Sequence, residues 1–185
     1  MGKGDHETAE KTMGSCFVLQ IIVSVILTVF LLIFHRDLLM LFGASENTIN
    51  YASSYIRIYA LGTIFVQLTL GMNAYITAQG FSKISMFTVL IGAVCNIILD
   101  PIFIFAFDMG VAGAALATII SQSISCVWVI SFLCGKKSAL RLKKETLSLR
   151  LNLILPCIAL GIAPFVMQSS ESIISVCFNS SLLKY

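Results

Sequence analysis

The sequence predicts an all-α membrane protein, a polytopic bundle of about five transmembrane helices. The first reason is composition: 58% of the 185 residues are apolar and 11% are charged, whereas soluble domains have about 45–50% and about 25%. A chain of this size has too little interior to hide so much apolar surface from water. The second reason is that the apolar residues occur in long uncharged runs, as helices that cross lipid require.

Five of these runs reach the length of roughly 20 residues that a helix needs to span a bilayer. They cover residues 12–34, 58–82, 84–107, 109–135 and 151–183. The third run is broken only by Asp100 and the fifth only by Glu171. The runs do not alternate polar and apolar residues, as the strands of a membrane barrel would. We therefore expect helices.

Positive charge distinguishes the two sides of the membrane. Six of the twelve Lys and Arg residues lie within 136–150. Long apolar runs flank this cluster, which favours a cytoplasmic loop over a nucleic-acid site, so no nucleic-acid partner is expected. Nine Lys and Arg residues fall on the side of this loop and three on the other. The positive-inside rule then places the N-terminus in the cytoplasm and, after five crossings, the C-terminus outside.

Asp100 is the residue that points most directly to a function. A carboxylate inside hydrocarbon costs about 2.5–3.5 kcal/mol and tends to mark an ion or proton path. Asn96 lies one turn earlier on the same helix face, and Pro101 leaves the Ile97 carbonyl without its usual partner. Carboxylate, amide and free carbonyl together would suit a proton, Na⁺ or another cation. The alternative is an Asp that caps the helix or reaches the external surface.

Thr118 lies on the fourth span, at a depth where it could face Asp100. Its alternative role, common for a threonine in a helix, is a hydrogen bond to its own backbone. Small residues recur through 110–117 with the spacing that lets helix backbones approach closely. Close packing is the simplest explanation of that stripe.

Glu171 is a second acid inside a span and follows Pro164 by seven residues. Broken helices with buried acids are typical of transport sites, although a position near a helix end is equally compatible with the sequence. Tyr55 lies at the start of the second span, where tyrosines commonly mark the membrane interface. No second catalytic group accompanies either acid at a useful spacing, so an enzyme is not expected. The six cysteines lack metal-ligand spacing.

Four segments resemble the multidrug and toxic compound extrusion (MATE) family of cation-coupled antiporters. The opening GKGDHETAEKTMGSCFVL is similar to the family's cytoplasmic link between helices two and three, and MNAYITAQG to the end of helix four. The most specific segment, NIILDPIFIFAFDMGVAGAALATIISQ, resembles the hairpin of helices five and six. LGIAPFVMQSSESIISVCFNSSL resembles helix seven.

The resemblance implies a transporter of twelve helices in two lobes, of which this chain would supply helices three to seven. Residues 1–135 would form part of the N-terminal lobe with four transmembrane helices, and 136–150 the basic cytoplasmic loop between the lobes. Residues 151–185 would be the truncated first helix of the C-terminal lobe. We therefore expect a fragment that needs the missing helices of the same transporter for its function.

The implied activity is export of drugs or small organic cations across the plasma membrane, driven by H⁺ or Na⁺. The family's acidic cation site corresponds to Asn96, Asp100 and Thr118, with Tyr55 as a further member and Glu171 as a second-lobe acid. The resemblance implies no cofactor, and no metal apart from Na⁺ at Asp100. Two alternatives stay open. A flippase for lipid-linked oligosaccharides would need a cavity richer in Arg and Lys, and a membrane assembly subunit would transport nothing.

Overall fold

The computed structural model describes residues 5–182, with side chains as far as Phe178. The helices are α1 (His6–Leu41), α2 (Ile49–Leu61), α3 (Thr63–Ala78), α4 (Ser82–Pro101), α5 (Gly110–Cys134) and α6 (Leu151–Leu182). A π-helical turn covers Ile102–Ala106 and a 3-10 turn covers Lys144–Thr146. No strand lies in this part of the chain, which confirms the predicted all-α class.

The number of possible membrane crossings also agrees with the prediction. Four helical segments, namely α1, α4 with its π-turn, α5 and α6, are each long and apolar enough to cross a membrane. The bent pair α2–α3 raises the number to five if the pair crosses as one span. The chain is therefore a multi-pass helical membrane protein.

The bend between α2 and α3 corrects the prediction of one unbroken helix over 58–82. The two helices meet at 54°, and Gly62 lies between them. A β carbon on Gly62 would lie only 2.4 Å from Ile119 Cγ1 of α5, so a glycine is needed for this close approach. Thr28 Oγ1 of α1 donates a hydrogen bond to the Ala60 carbonyl oxygen over 2.9 Å. This bond helps to satisfy the backbone where the helix is interrupted inside lipid.

Helices α1 to α5 pack into one bundle, in which α5 contacts α2, α3 and α4. The main buried cluster lies at the end of the bundle that carries the basic residues. Its members are Met13, Met72, Ile76, Val129, Leu133 and Leu140. Large apolar side chains cover the outer faces, such as Phe105 at 78% exposure and Leu160 at 80%. Exposed apolar surface of this extent suits contact with lipid chains.

Residues 136–150, which we call the basic cap, fold over the end of the bundle. Leu140 is only 3% exposed and belongs to the buried cluster. Its N–H donates to Gln79 Oε1 at the end of α3 over 3.0 Å. The carboxylate of Glu10, in α1, accepts a hydrogen bond from the Arg141 N–H over 3.0 Å. The segment predicted as a connecting loop is thus docked onto the first four spans.

Candidate functional site

Asp100 lies in the last turn of α4, directly before Pro101 and the π-helical turn. Asn96 Nδ2 donates a hydrogen bond to Asp100 Oδ1 over 3.2 Å. Both side chains are half-buried. The structure therefore brings these two residues together as the four-residue spacing predicts, while their role in cation binding stays a prediction.

The helix widens directly after this pair. The Phe107 N–H donates to the Ile102 carbonyl oxygen, five residues earlier, over 3.0 Å. The start of α5 packs against this turn, because a β carbon on Gly113 would lie 2.7 Å from the Phe103 carbonyl oxygen. Such π-turns occur frequently at functional sites. Sequence reasoning recognised the proline before the turn but not the turn itself.

A cavity of about 250 Å³ lies between α3, α4 and α5. Seven of its eleven lining residues carry a hydroxyl or amide group, although the helices are otherwise strongly apolar. These seven are Thr69, Thr88, Asn96, Thr118, Ser121, Gln122 and Ser125. Asn96 belongs to this polar lining and also bonds Asp100, so it connects the carboxylate to the cavity.

Hydrogen bonds between helices surround the cavity. Ser125 Oγ of α5 donates to the Thr88 carbonyl oxygen of α4 over 3.1 Å. Thr69 Oγ1 of α3 donates to the Gln122 carbonyl oxygen of α5 over 3.4 Å. A β carbon on Gly92 would lie 2.7 Å from Ser125 Oγ, so the glycine allows α4 and α5 to approach closely here. The three helices are thereby held together around a cavity whose surface is mostly apolar, with hydroxyl and amide groups among its lining residues.

Thr118 makes the backbone hydrogen bond that was the alternative to a place facing Asp100, and its role in cation binding stays a prediction. Its Oγ1 donates to the Ala114 carbonyl oxygen of the same helix over 2.9 Å, which is the backbone alternative. The same residue lines the cavity together with Asn96, and a hydroxyl that donates keeps its lone pairs free to accept. Tyr55 lies elsewhere: it stacks on Tyr59 of α2, with ring centroids 5.7 Å apart, and does not line this cavity.

Glu171 is not part of this site in the described chain. It is exposed on α6, which packs against α1 and makes no contact with α4 or α5 among the described residues. The sequence suggested a broken helix with a buried acid, but α6 runs without interruption through Pro156 and Pro164. The break is therefore absent from the described part of α6, while the role of Glu171 as a second-lobe acid stays a prediction.

Five cavity residues escaped the sequence analysis, namely Thr69, Thr88, Ser121, Gln122 and Ser125. A signal was present on α5, where polar residues at 118, 121, 122 and 125 share one helix face. Residues 5–182 contain no group of three or more His, Cys, Asp or Glu that could hold a metal. The available donors are carboxylate, amide and hydroxyl oxygens, which suit a proton or a hard monovalent cation rather than a transition metal.

A multi-pass helical bundle with a carboxylate–amide pair beside a cavity has features that are common among membrane transport proteins as a class. The family follows from a direct match: the MatE family model covers residues 1–102, more than half of the chain. The chain belongs to the MatE family. This confirms the family that the sequence resemblance indicated.

Two relatives and one solved structure illustrate the similarity. Multidrug export protein MepA of Staphylococcus haemolyticus is 31% identical over 180 residues, which make up 97% of this chain and 39% of that protein. Protein DETOXIFICATION 43 of Arabidopsis thaliana is 33% identical over 121 residues, 64% of this chain and 23% of that protein. An inward-facing MATE multidrug resistance transporter of the MOP superfamily superposes with a TM-score of 0.87 at 25% identity, covering 95% of this chain and 40% of that one.

The chain therefore spans about two fifths of the length of MepA and of the solved transporter. The names of these proteins describe export and transport. They agree with the prediction that the chain is not an enzyme.

Proposed function

We propose that this chain provides the cation-binding part of an exporter that uses H⁺ or Na⁺ to drive drugs or organic cations across the plasma membrane. The observation that carries the proposal is the Asp100–Asn96 pair, whose amide also lines the cavity between α3, α4 and α5. An ionisable residue at membrane depth is expensive and usually serves a transport pathway. The relatives named as multidrug exporters support the same activity.

In this proposal Asp100 takes up the coupling cation or proton, and Asn96 orients its carboxylate. Thr118 supplies a hydroxyl oxygen from the opposite wall of the cavity. Loading Asp100 removes or balances its negative charge, which changes the relative stability of the outward- and inward-facing arrangements. The bound drug is released outward, and the transporter resets by rocking one lobe against the other. The basic cap faces the cytoplasm.

The two alternatives make different demands on the same residues. A flippase for lipid-linked oligosaccharides would need cationic side chains in its cavity, and none of the eleven residues that line the described cavity is Lys or Arg. An assembly subunit would depend on the small stripe at 110–117, where Gly113 contacts the π-turn, and would tolerate the loss of the Asp100 charge.

The decisive experiment is ethidium efflux from a drug-sensitive bacterium that expresses the chain extended to twelve helices, beside the 185-residue chain itself. We expect Asp100→Asn to abolish efflux in the extended form. Asp108→Asn is the matched control, because Asp108 is exposed in the turn before α5 and has φ +52°. Asn tolerates this left-handed conformation as well as Asp does, so efflux should be retained.

Normal efflux by Asp100→Asn would contradict the assignment of Asp100 as the coupling residue. If the extended chain reached the membrane but exported no ethidium, the assembly function would be favoured instead. Equal amounts of each variant in the membrane, measured by immunoblot, separate loss of activity from loss of protein.

A further inference from the structure

A second cavity, of about 420 Å³, lies at the end of α5 next to the basic cap. Its lining residues are Trp128, Ser131, Phe132, Gly135, Lys136 and Lys137. Trp128 is 41% exposed, and Phe132 packs edge-on against Phe81 with ring centroids 5.3 Å apart. Because α5 is long enough to cross the membrane, this groove lies where the span ends and the lipid headgroups begin.

Cationic groups gather at one end of the groove. Lys136 and Lys137 follow α5 directly, and both side chains are exposed. Arg141 Nη2 donates to the Lys136 carbonyl oxygen over 3.3 Å, which brings a third cation to the same place. Within residues 5–182 no carboxylate forms an ion pair with any of the three. The end of α5 contributes about half a negative charge, and Glu10, which accepts the Arg141 N–H, contributes one more. The three cations therefore still leave a net positive charge at this end of the groove.

The turn that carries these cations is fixed to the bundle. Gln79 Oε1 accepts hydrogen bonds from Ser138 Oγ over 2.8 Å and from the Leu140 N–H over 3.0 Å. Ser138 and Leu140 are 4% and 3% exposed. Because the backbone between Lys137 and Arg141 is held in this way, the cationic groups have a defined position relative to the apolar slot.

We propose that this groove binds an anionic phospholipid. One acyl chain lies along Trp128 and Phe132, and the headgroup phosphate lies between Lys136, Lys137 and Arg141. A free phosphate ion would use the cations but leave the apolar slot unfilled. A zwitterionic lipid brings its own ammonium group, which weakens its attraction to a positive site. The proposal concerns the lipid surroundings and does not depend on the transported substrate.

Trp128 permits a direct test, because it is the single tryptophan of the chain. The full 185-residue chain is reconstituted in phosphatidylcholine vesicles that contain equal mole fractions of brominated phosphatidylglycerol or brominated phosphatidylcholine. Bromine quenches tryptophan fluorescence only at close range. We expect brominated phosphatidylglycerol to quench Trp128 more strongly at the same mole fraction, and the preference to weaken as salt is raised.

Matched variants identify the source of the preference. Lys136→Gln/Lys137→Gln should lower the preference for phosphatidylglycerol roughly thirtyfold, since each basic residue near an anionic lipid surface contributes about 1 kcal/mol and about 1.4 kcal/mol is tenfold. Lys144→Gln/Arg150→Gln removes the same charge from the same cap but outside the groove lining, and should keep most of the preference. Ser131→Phe fills the slot and should bring quenching by the two lipids to the same level.

Three results would overturn the proposal. Equal quenching of the wild-type chain by both brominated lipids would show that the groove does not select an anionic headgroup. If both double variants lost the preference for phosphatidylglycerol to the same extent, the preference would come from the overall positive charge of the cap and not from the groove. If millimolar inorganic phosphate abolished the preference, the cationic groups would bind a free phosphate ion instead of a lipid headgroup. Circular dichroism of each variant confirms that its helices are intact.

Discussion

Gly14 provides a sharp test of whether the basic cap is part of the folded bundle. A β carbon at this position would lie 2.3 Å from the Thr146 carbonyl oxygen, whereas ordinary contact begins near 3.4 Å. The next residue, Ser15, donates its hydroxyl hydrogen to the Ser148 carbonyl oxygen over 2.7 Å. Gly14→Ala therefore requires the cap backbone to move outward by about 1 Å, which would break the Ser15 hydrogen bond.

The expected cost follows from two contributions. Crowding a packed site costs about 1–3 kcal/mol, and the lost hydrogen bond about 1 kcal/mol. The higher helix propensity of alanine has no effect on docking, because α1 is helical whether the cap is docked or not. The net change of about 2–4 kcal/mol against docking raises the population of undocked cap roughly thirty- to several-hundredfold, since about 1.4 kcal/mol corresponds to tenfold.

Limited trypsin digestion of the purified chain measures this population, because the cap is rich in Lys and Arg. When docking is fast relative to cleavage, the cleavage rate is proportional to the undocked fraction. Gly161→Ala in α6 is the control, since nothing lies within 4 Å of its added β carbon. Cleavage within the cap at the wild-type rate in Gly14→Ala would refute the docking at this contact.

Three further predictions test the charge, cavity and orientation of the molecule. Burial raises the pKa of Glu10, but hydrogen bonds from Lys143 and the cap backbone outweigh it and hold the pKa below the usual value of 4.5. The bonds of this carboxylate therefore stabilise the docked cap fully above pH values near the usual pKa. The stabilisation is lost as the pH falls through the lower pKa that Glu10 has in the folded chain. In that pH range, hydrogen exchange of the cap amides should be faster than the intrinsic pH dependence of exchange predicts. Glu10→Gln should remove this extra acceleration. Gly92→Ala places a β carbon 2.7 Å from Ser125 Oγ, so the hydroxyl must turn away and ethidium efflux by the extended chain should fall at equal membrane levels. In a variant with Cys134, which is exposed, as its single cysteine, an impermeant maleimide should label inside-out but not right-side-out vesicles; the reverse would place the cap outside.

The parts of the fold that depend on one helix at a time could be predicted from the sequence. Uncharged length identifies a membrane span without reference to its neighbours, and the four-residue spacing of Asn96 and Asp100 fixes their meeting. The break at Gly62 could not be found in this way. It depends on Ile119 of α5 approaching the backbone of another segment, and this contact has no local pattern.

The prolines show that a local sequence pattern can also predict a helix break that the structure does not have. Pro164 suggested a broken helix before Glu171, yet α6 continues through Pro156 and Pro164. Inside a membrane, a proline is tolerated because side chains and local adjustment of the turn satisfy the freed carbonyl group. Pro101 differs because the π-helical turn and the packing of α5 follow it directly. Whether a proline ends a helix is therefore decided by what packs next to it.

Most hydroxyl groups in this bundle donate to a backbone carbonyl of their own helix or of a neighbouring one, and Asp100 differs from them. Ser125 and Thr69 each donate to a backbone carbonyl of a neighbouring helix, so their polar groups are used structurally. The carboxylate of Glu10 accepts bonds from two donors of the cap, one of them an ammonium group. Among the described residues Asp100 accepts one hydrogen bond, from the neutral amide of Asn96. Asp100 is a half-buried carboxylate on a helix long enough to cross the membrane, and its partner Asn96 lines the cavity. This placement supports the proposal that Asp100 binds the coupling cation.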